Sequence, residues 1–393
     1  MGEIAKPRAL VVCPVVPYPP VGGGYKRTLR LLESMQRAGV QPHVLTTDPG
    51  QPGAIDALRD LGFDVELLPG ESGTIVSRLS QHAHRRPSPF LDSVDHRLRE
   101  LSTEGAAFVQ LEHTLSSYYF DAAGRLPVVL SIHNLDSQML RSVALGERRF
   151  TPAWARAWNR SLAMRAVERR AFPRAYAVVC VSEADAASVN GRARRLLVAP
   201  NGVDDAFFSV PPEPPPGEEI LFFGQYDYAP NEHGVLRFLR DGWPVLAEAR
   251  RDARLRLAGK GAGRALEKAV ARADRVELVG VVHDMADELA RSRVTIVPIW
   301  QGGGTRLKVL ESLAAARPVA GTSLGVEGVG FRDGEHGVVA DDPAELARRA
   351  ADLLADATQL PAMGRAGREL AERYRWARAL DPATQLYRDL ATA

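Results

Sequence analysis

The residues best suited to chemistry lie in one run, Pro298-Ile299-Trp300-Gln301-Gly302-Gly303-Gly304-Thr305-Arg306-Leu307-Lys308-Val309-Leu310-Glu311-Ser312-Leu313. An apolar stretch, Val294–Pro298, leads into it and reads as a buried strand. Three glycines, Gly302, Gly303 and Gly304, let backbone amides come close to a ligand. Leu307, Leu310 and Leu313 are spaced for burial on one face of a helix, whose positive end points at the same place. Arg306 and Lys308 add two full charges to its first turn. Cations there are unfavourable on their own, so an anion held by Gly302–Thr305, Arg306 and Lys308 would resolve the conflict. A tight turn with solvated basic residues is the alternative. Glu311 comes next, as a carboxylate able to reach two adjacent ribose hydroxyls or as an exposed helical glutamate.

Three further segments fit the rule that ligands of open α/β sheets bind at the carboxyl ends of strands. Ala9–Cys13 runs into Pro14-Val15-Val16-Pro17-Tyr18-Pro19-Pro20-Val21-Gly22-Gly23-Gly24. This is longer than the Gly-x-Gly-x-x-Gly of dinucleotide enzymes. The amides of Gly22, Gly23 and Gly24 open the helix from Tyr25 and could face a phosphate or a sugar. His133-Asn134 follows Val128–Ile132, and Glu112-His113 follows Ala107–Leu111. A lone histidine after a strand is more often structural, but its place at a strand's carboxyl end strengthens the functional reading here. The chain has no Asp-x-Asp pair for a metal-diphosphate clamp, no metal-ligand spacing among its histidines, no Gly-x-Ser-x-Gly elbow and no Walker loop.

These loops need a scaffold, and the sequence supplies one. Further Val-rich runs occur at His43–Thr47, Val65–Leu68, Ala177–Val181 and Leu196–Ala199. Tyr25–Ala38 and Val167–Phe172 carry helical spacing between them. Such alternation predicts a doubly wound parallel sheet. Pro211-Pro212-Glu213-Pro214-Pro215-Pro216-Gly217 then reads as a stiff extended linker. The pattern restarts at Ile220–Phe223 and continues through Leu255–Ala258, Val276–Val279, Val294–Pro298, Val319–Thr322 and Val338–Ala340. Helices follow at Ala344–Ala355 and Gln359–Tyr374, with Arg375–Thr392 as one helical tail.

The chain has 393 residues, 45% hydrophobic and 25% charged, which suits two globular domains. A formal net charge of +2 makes no case for nucleic acid. Cys13 and Cys180 lie in apolar runs and read as small buried residues rather than a disulfide or metal pair. Met1–Arg8 lacks the apolar core of a signal peptide, and no stretch is long enough to span a bilayer, so a cytoplasmic location is expected. Arg141–Arg174 holds nine arginines against Glu147 and Glu168, and Trp154, Trp158, Leu162 and Ala166 recur every four residues. Two readings fit: a helix packed through its tryptophans with solvated arginines, or a basic face for an anionic acceptor or a peripheral membrane contact.

Taken together, these stretches resemble a retaining glycosyltransferase of the GT-B fold, glycosyltransferase family 4 (group 1). The resemblance covers nearly the whole chain. It rests on Pro19–Gly24, on Val181-Ser182, on Ala199-Pro200-Asn201-Gly202-Val203-Asp204, on Phe223-Gly224-Gln225-Tyr226-Asp227-Tyr228-Ala229-Pro230-Asn231, and on Gly302 to Glu311 followed by Arg317-Pro318-Val319.

It implies two Rossmann-like domains facing across a cleft. Residues 1–205 would form the acceptor side, 206–217 the linker and 218–375 the donor side, with 376–393 crossing back as a helix. It also implies transfer of a sugar from a nucleoside diphosphate donor with retention, and the missing Asp-x-Asp pair adds that no metal or other cofactor is expected. On that scaffold we expect Glu311 to hold the ribose, Gly302–Thr305 with Arg306 and Lys308 the diphosphate, the two cations as an inference from this sequence rather than a family rule, and His133 the donor sugar. Gly22–Gly24 would close over the phosphate or line the acceptor pocket.

Two departures matter. The family's Glu-x7-Glu has Gly303 in its first position, and its usual Arg and Lys after the glycine at 224 are Gln225 and Pro230 here. Arg306 and Lys308 are the natural substitutes. A non-catalytic nucleotide-sugar binding protein and an epimerase of the same fold are the rival readings.

Overall fold

The computed structural model describes residues 6–20, 22–70, 92–146, 149–302 and 307–392. It divides into two compact units, residues 1–200 with 380–393, and residues 201–379.

The first unit is built on seven strands: β1 (Arg8–Val12), β2 (Gln41–Thr46), β3 (Asp64–Leu67), β4 (Phe108–Glu112), β5 (Val128–Ser131), β6 (Ala177–Cys180) and β7 (Leu196–Val198). They pair in parallel in the order β3-β2-β1-β4-β5-β6-β7. Most central positions are buried, as expected when helices cover both faces of a parallel sheet. Leu10, Val109, Leu130, Val178 and Cys180 share one core cluster. Both cysteines are free and buried.

The second unit repeats the plan with β8 (Glu219–Phe223), β9 (Arg254–Ala258), β10 (Val276–Gly280), β11 (Val294–Val297), β12 (Val319–Gly321) and β13 (Gly337–Val339), ordered β10-β9-β8-β11-β12-β13. All the strands read from the sequence are present, with ends shifted by one or two residues. In each sheet the winding reverses at one place, between β1 and β4 and between β8 and β11. At such a switch point the flanking connections leave on opposite faces and a crevice opens beyond the strand ends.

Two expectations need correction. The helical tail is two helices, Trp376–Ala379 and Asp381–Ala391, because Pro382 lacks an N–H and starts a new helix at its first turn. Along the proline-rich segment, Arg317 Nη2 donates to the Pro211 carbonyl at 3.1 Å and Arg293 Nη1 to the Pro215 carbonyl at 3.2 Å.

The second correction concerns the helix Pro152–Ala171, which does not pack through the Trp154–Ala166 stripe. Leu162 is 50% exposed and Ala166 is exposed, while Ser161 and Glu168 are buried. Glu168 accepts from the backbone N–H of Ser137 at 2.9 Å and from its hydroxyl at 2.6 Å, and the Ser161 hydroxyl donates to the Ser137 carbonyl at 2.9 Å. Trp154 and Trp158 are half-buried and stack on each other at 5.8 Å. Polar anchoring to the helix Asp136–Gly146 therefore sets which face turns inward.

Candidate active site

In the second unit the switch point gathers residues from four segments. The helix Ala229–Asp241 lies tight against the end of β11, since a Cβ on Gly234 would come within 2.1 Å of the Pro298 carbonyl oxygen. This close approach brings Asn231 to the carboxyl end of β8. There its Nδ2 donates to the Gln225 carbonyl at 2.7 Å, and its Oδ1 accepts from Lys308 Nζ at 2.8 Å. The Lys308 ammonium also sits 4.1 Å from the centre of the Phe222 ring, within range of a cation–π contact. A Cβ on Gly224 would meet both Asn231 Nδ2 and Lys308 Nζ at 2.9 Å, so only glycine admits this packing. Lys308 thus reaches, from the other side of the switch point, the loop that carries Gln225.

Lys308 and Glu311 are three residues apart on the helix Leu307–Ala314 and share a face. Val309, Leu310 and Leu313 anchor that helix in the core. Glu311 is only 8% exposed, which removes the reading of a solvated helical glutamate. Gly302 lies against Tyr228 and Pro230, both within 3.1 Å of a Cβ built there. Gly303, Gly304, Thr305 and Arg306, all expected to take part, fall outside the described residues. Arg317 of the same motif is structural: its Nε donates to the Leu289 carbonyl at 2.8 Å. Burial, with Arg368 nearby, pulls its guanidinium down to about 10.

In the first unit the loop after β1 leads to the helix Gly23–Arg37, which starts at Gly22 without a side-chain cap hydrogen bond and carries no acidic residue in its first turn. Gly22, Gly23 and Gly24 are therefore at an uncompensated helix N-terminus; the adjoining Val21 lies outside the described residues. His133 follows β5, and its Nδ1 would be 3.5 Å from a Cβ on Gly24. Its Nε2 is 2.7 Å from Oε2 of Glu112, the last residue of β4. The His113 ring lies 4.0 Å from that of His133. Burial, then the proximity of His133, holds His113 down at about 3, so it stays neutral. Burial alone would raise Glu112, but the hydrogen bonds and charges of His133, together with His113 and Gln110, more than offset it and keep the carboxyl below its usual range.

The sequence flagged Lys308, Glu311, His133 and the Glu112-His113 pair as ends of strands or starts of helices. It missed Asn231 and Gly224 as partners of Lys308, and Gln110 as a partner of Glu112.

Among the described residues no group of three or more His, Cys, Asp or Glu could hold a metal ion. No described helix is long and apolar enough to cross a membrane.

Two doubly wound parallel sheets, each carrying candidate ligand groups at its switch point, define a two-domain α/β fold of the GT-B type. Comparison with known proteins agrees. A model of family 4 glycosyltransferases matches residues 21–207 and a model of group 1 glycosyl transferases matches residues 217–356. The chain belongs to the group 1 glycosyltransferases and is a glycosyltransferase.

Its fold is similar to that of a sucrose-phosphate synthase from Thermosynechococcus elongatus, at 19% identity and TM-score 0.72 over 98% of this chain and 100% of that one. It is likewise similar to HepE of Anabaena in complex with UDP and glucose, at 14% identity and TM-score 0.70 over 98% and 100% of the two chains. The glycosyltransferase WaaG, involved in lipopolysaccharide biosynthesis, matches at 16% identity and TM-score 0.67 over 96% and 99%. A curated relative, an uncharacterized 44.6 kDa protein in the cps region of Klebsiella pneumoniae, is 28% identical over 137 residues, which is 33% of this chain and 35% of that protein.

Proposed function

We propose that this enzyme moves a sugar from a nucleoside diphosphate donor to an acceptor, with retention of anomeric configuration and without a metal ion. The observation that carries the reading is the Lys308 ammonium at the β8/β11 switch point, held by Asn231 and Phe222 beside Gly224. A fixed cation there meets the charge that grows on a departing diphosphate, and it requires no reorganisation as that charge develops. In this reading Glu311 takes the ribose, Gly302–Thr305 and Arg306 share the diphosphate with Lys308, and His133 with Gly22–Gly24 serves the sugar. Retention follows from the family resemblance. Independence from metal is supported by the lack of an Asp-x-Asp pair in the sequence.

The HepE structures hold UDP and UDP-glucose, so UDP-glucose is the first donor to try. Thermal-shift screening of nucleotide sugars, followed by nucleotide release with and without EDTA, tests the reading. Stabilisation by one donor and release unaffected by EDTA are expected. Stabilisation without release in any acceptor mixture would favour a binding protein, and loss of release with EDTA would overturn the metal-free step. Proton NMR of the product's anomeric centre tests retention.

The basic stretch supports a second contact. Phe150 is 88% exposed and Leu162 half exposed, next to exposed Arg156, Arg160, Arg165, Arg169 and Arg170. Basic groups flanking exposed apolar ones suit an anionic lipid surface. Flotation with vesicles containing phosphatidylglycerol, but not with phosphatidylcholine alone, is expected. Equal behaviour with both would remove the contact.

A further inference from the structure

Behind His133 runs a line of buried side chains drawn from three elements of the first unit. The Tyr387 hydroxyl, on the helix Asp381–Ala391, donates to Gln110 Oε1 at 2.7 Å. Gln110 Nε2 donates to Glu112 Oε1, and Glu112 Oε2 meets His133 Nε2 at 2.7 Å. The Thr28 hydroxyl approaches the same Oε2 at 3.5 Å. Gln110 and Glu112 are two apart on β4 and share a face of the sheet. Tyr387 is held by stacking on Phe108 of the same strand, with ring centres 5.5 Å apart. Gln110, Glu112 and Tyr387 are each almost wholly buried.

The direction of these bonds is fixed by the chemistry of the groups. A buried phenol gives its proton to the carbonyl oxygen of Gln110, which leaves the amide nitrogen facing Glu112. The reverse orientation would set an amide oxygen against a carboxylate oxygen, with no proton between them. Glu112 is thereby an acceptor on both oxygens. The proton shared with His133 belongs to Nε2, so in the neutral ring Nδ1 carries the lone pair; a second proton on Nδ1 would face no acceptor among the described residues. That Nδ1 is buried and has no hydrogen-bond partner among the described residues. A buried acceptor without a donor is costly in a folded protein and marks a place that a ligand completes. It faces Gly24, at the start of the first helix.

We infer that Glu112 is a positioning residue that locks His133 as its Nε2–H tautomer, so that Nδ1 accepts a hydrogen bond from a sugar hydroxyl, and that the C-terminal helix supports this state through Tyr387 and Gln110. The role of Nδ1 toward a sugar rests on the glycosyltransferase reading; the tautomer does not. A carboxylate on the far nitrogen fixes both the tautomer and the orientation of an imidazole, as in other histidine sites.

The test is long-range proton–nitrogen correlation NMR on the full chain labelled with 15N-histidine, with the His133 signals assigned by their loss in His133→Gln. Wild type is expected to show a protonated Nε2 and an unprotonated Nδ1. Glu112→Gln, whose side chain can donate as well as accept, is expected to give comparable amounts of both tautomers at an unchanged melting temperature. Tyr387→Phe, which deletes one hydroxyl, carries the test where Glu112→Gln does not fold, and is expected to bring in a visible minor tautomer. A proton on Nδ1 in wild type, or an unchanged tautomer in Glu112→Gln, would overturn the inference; an unchanged tautomer in Tyr387→Phe would remove the part of the C-terminal helix. Once a donor is in hand, Glu112→Gln is expected to lower kcat at least tenfold with the donor KM little changed. Absence of any turnover in wild type would count against the glycosyltransferase reading and leave the tautomer result standing.

Discussion

Replacing Lys308 by Met separates the two things its ammonium does. The change keeps an unbranched apolar stem and removes the charge. For folding, the losses among the described contacts are the bond to Asn231 Oδ1 at 2.8 Å and the contact with Phe222 at 4.1 Å. A charged hydrogen bond is worth about 1.5–3 kcal/mol and a partly desolvated cation–π contact about 0.5–2 kcal/mol. Against this, the variant no longer desolvates an ammonium or places a cation near a helix N-terminus, a penalty of about 0.3–1 kcal/mol for the helix part alone. The net loss of stability is therefore expected to be about 1–3 kcal/mol, a few degrees in melting temperature for a unit of this size.

For catalysis, removing one preorganised donor from a site of developing negative charge costs about 10²–10³ in kcat, equivalent to about 2.7–4 kcal/mol. Asn231→Ala is the matched control, because it loses the hydrogen bond and keeps the charge. Steady-state nucleotide release and a thermal melt on both variants are the assay. Lys308→Met is expected to lose at least a hundredfold in kcat/KM, and Asn231→Ala less than tenfold. A Lys308→Met enzyme within threefold of wild type would refute the assignment, as would an Asn231→Ala enzyme equally impaired.

Arg306→Ala is expected to abolish transfer while leaving the fold intact; unchanged kcat/KM would take Arg306 out of the leaving-group role. Gly24→Ala places its methyl 3.5 Å from His133 Nδ1, an ordinary contact, so the melting temperature should hold while transfer falls at least tenfold. Equal activity would show that this face of His133 is not used.

Burial, and then the charge of Glu168, raise Asp136 to about 6 from an ordinary 3.8. The folded state therefore binds this proton more tightly than the unfolded one, and the stability it contributes is full below about pH 4 and lost as pH rises through about 6. A shift of about 2 units corresponds to about 3 kcal/mol, so Asp136→Asn should be more stable than wild type by up to that amount at pH 7.5 and nearly equal to it at pH 4. Denaturant unfolding at the two pH values checks this, and a pH-independent difference would contradict it.

The two sheets were legible because parallel strands covered on both faces must be apolar along their length, and runs such as Val178-Val179-Cys180 admit little else. The C-terminal tail and the Arg141–Arg174 helix were less legible. Proline at 382 sets a boundary that apolar spacing alone does not reveal. The stripe of Trp154, Trp158, Leu162 and Ala166 has helical spacing, yet Glu168 and Ser161 turn another face inward by their bonds to Ser137. Hydrophobic periodicity cannot weigh a buried polar anchor whose partner lies on a different helix.

The sequence alone determined the two-unit α/β architecture, the family, and the loops on which Lys308, Glu311, His133 and Gly22–Gly24 lie. Those features are local: they depend on residue type, on the position of glycine and proline, and on spacing within some fifteen residues. Only the tertiary structure decided that Lys308 meets Asn231 beside Gly224, 77 positions away from its partner, and that Tyr387 reaches Gln110 across 277. Strand order decides the first, and the packing of the C-terminal helix against β4 decides the second. The reversal of winding between β1 and β4 and between β8 and β11 brings distant strand ends side by side, and no pattern within a single strand encodes which neighbour it will pair with.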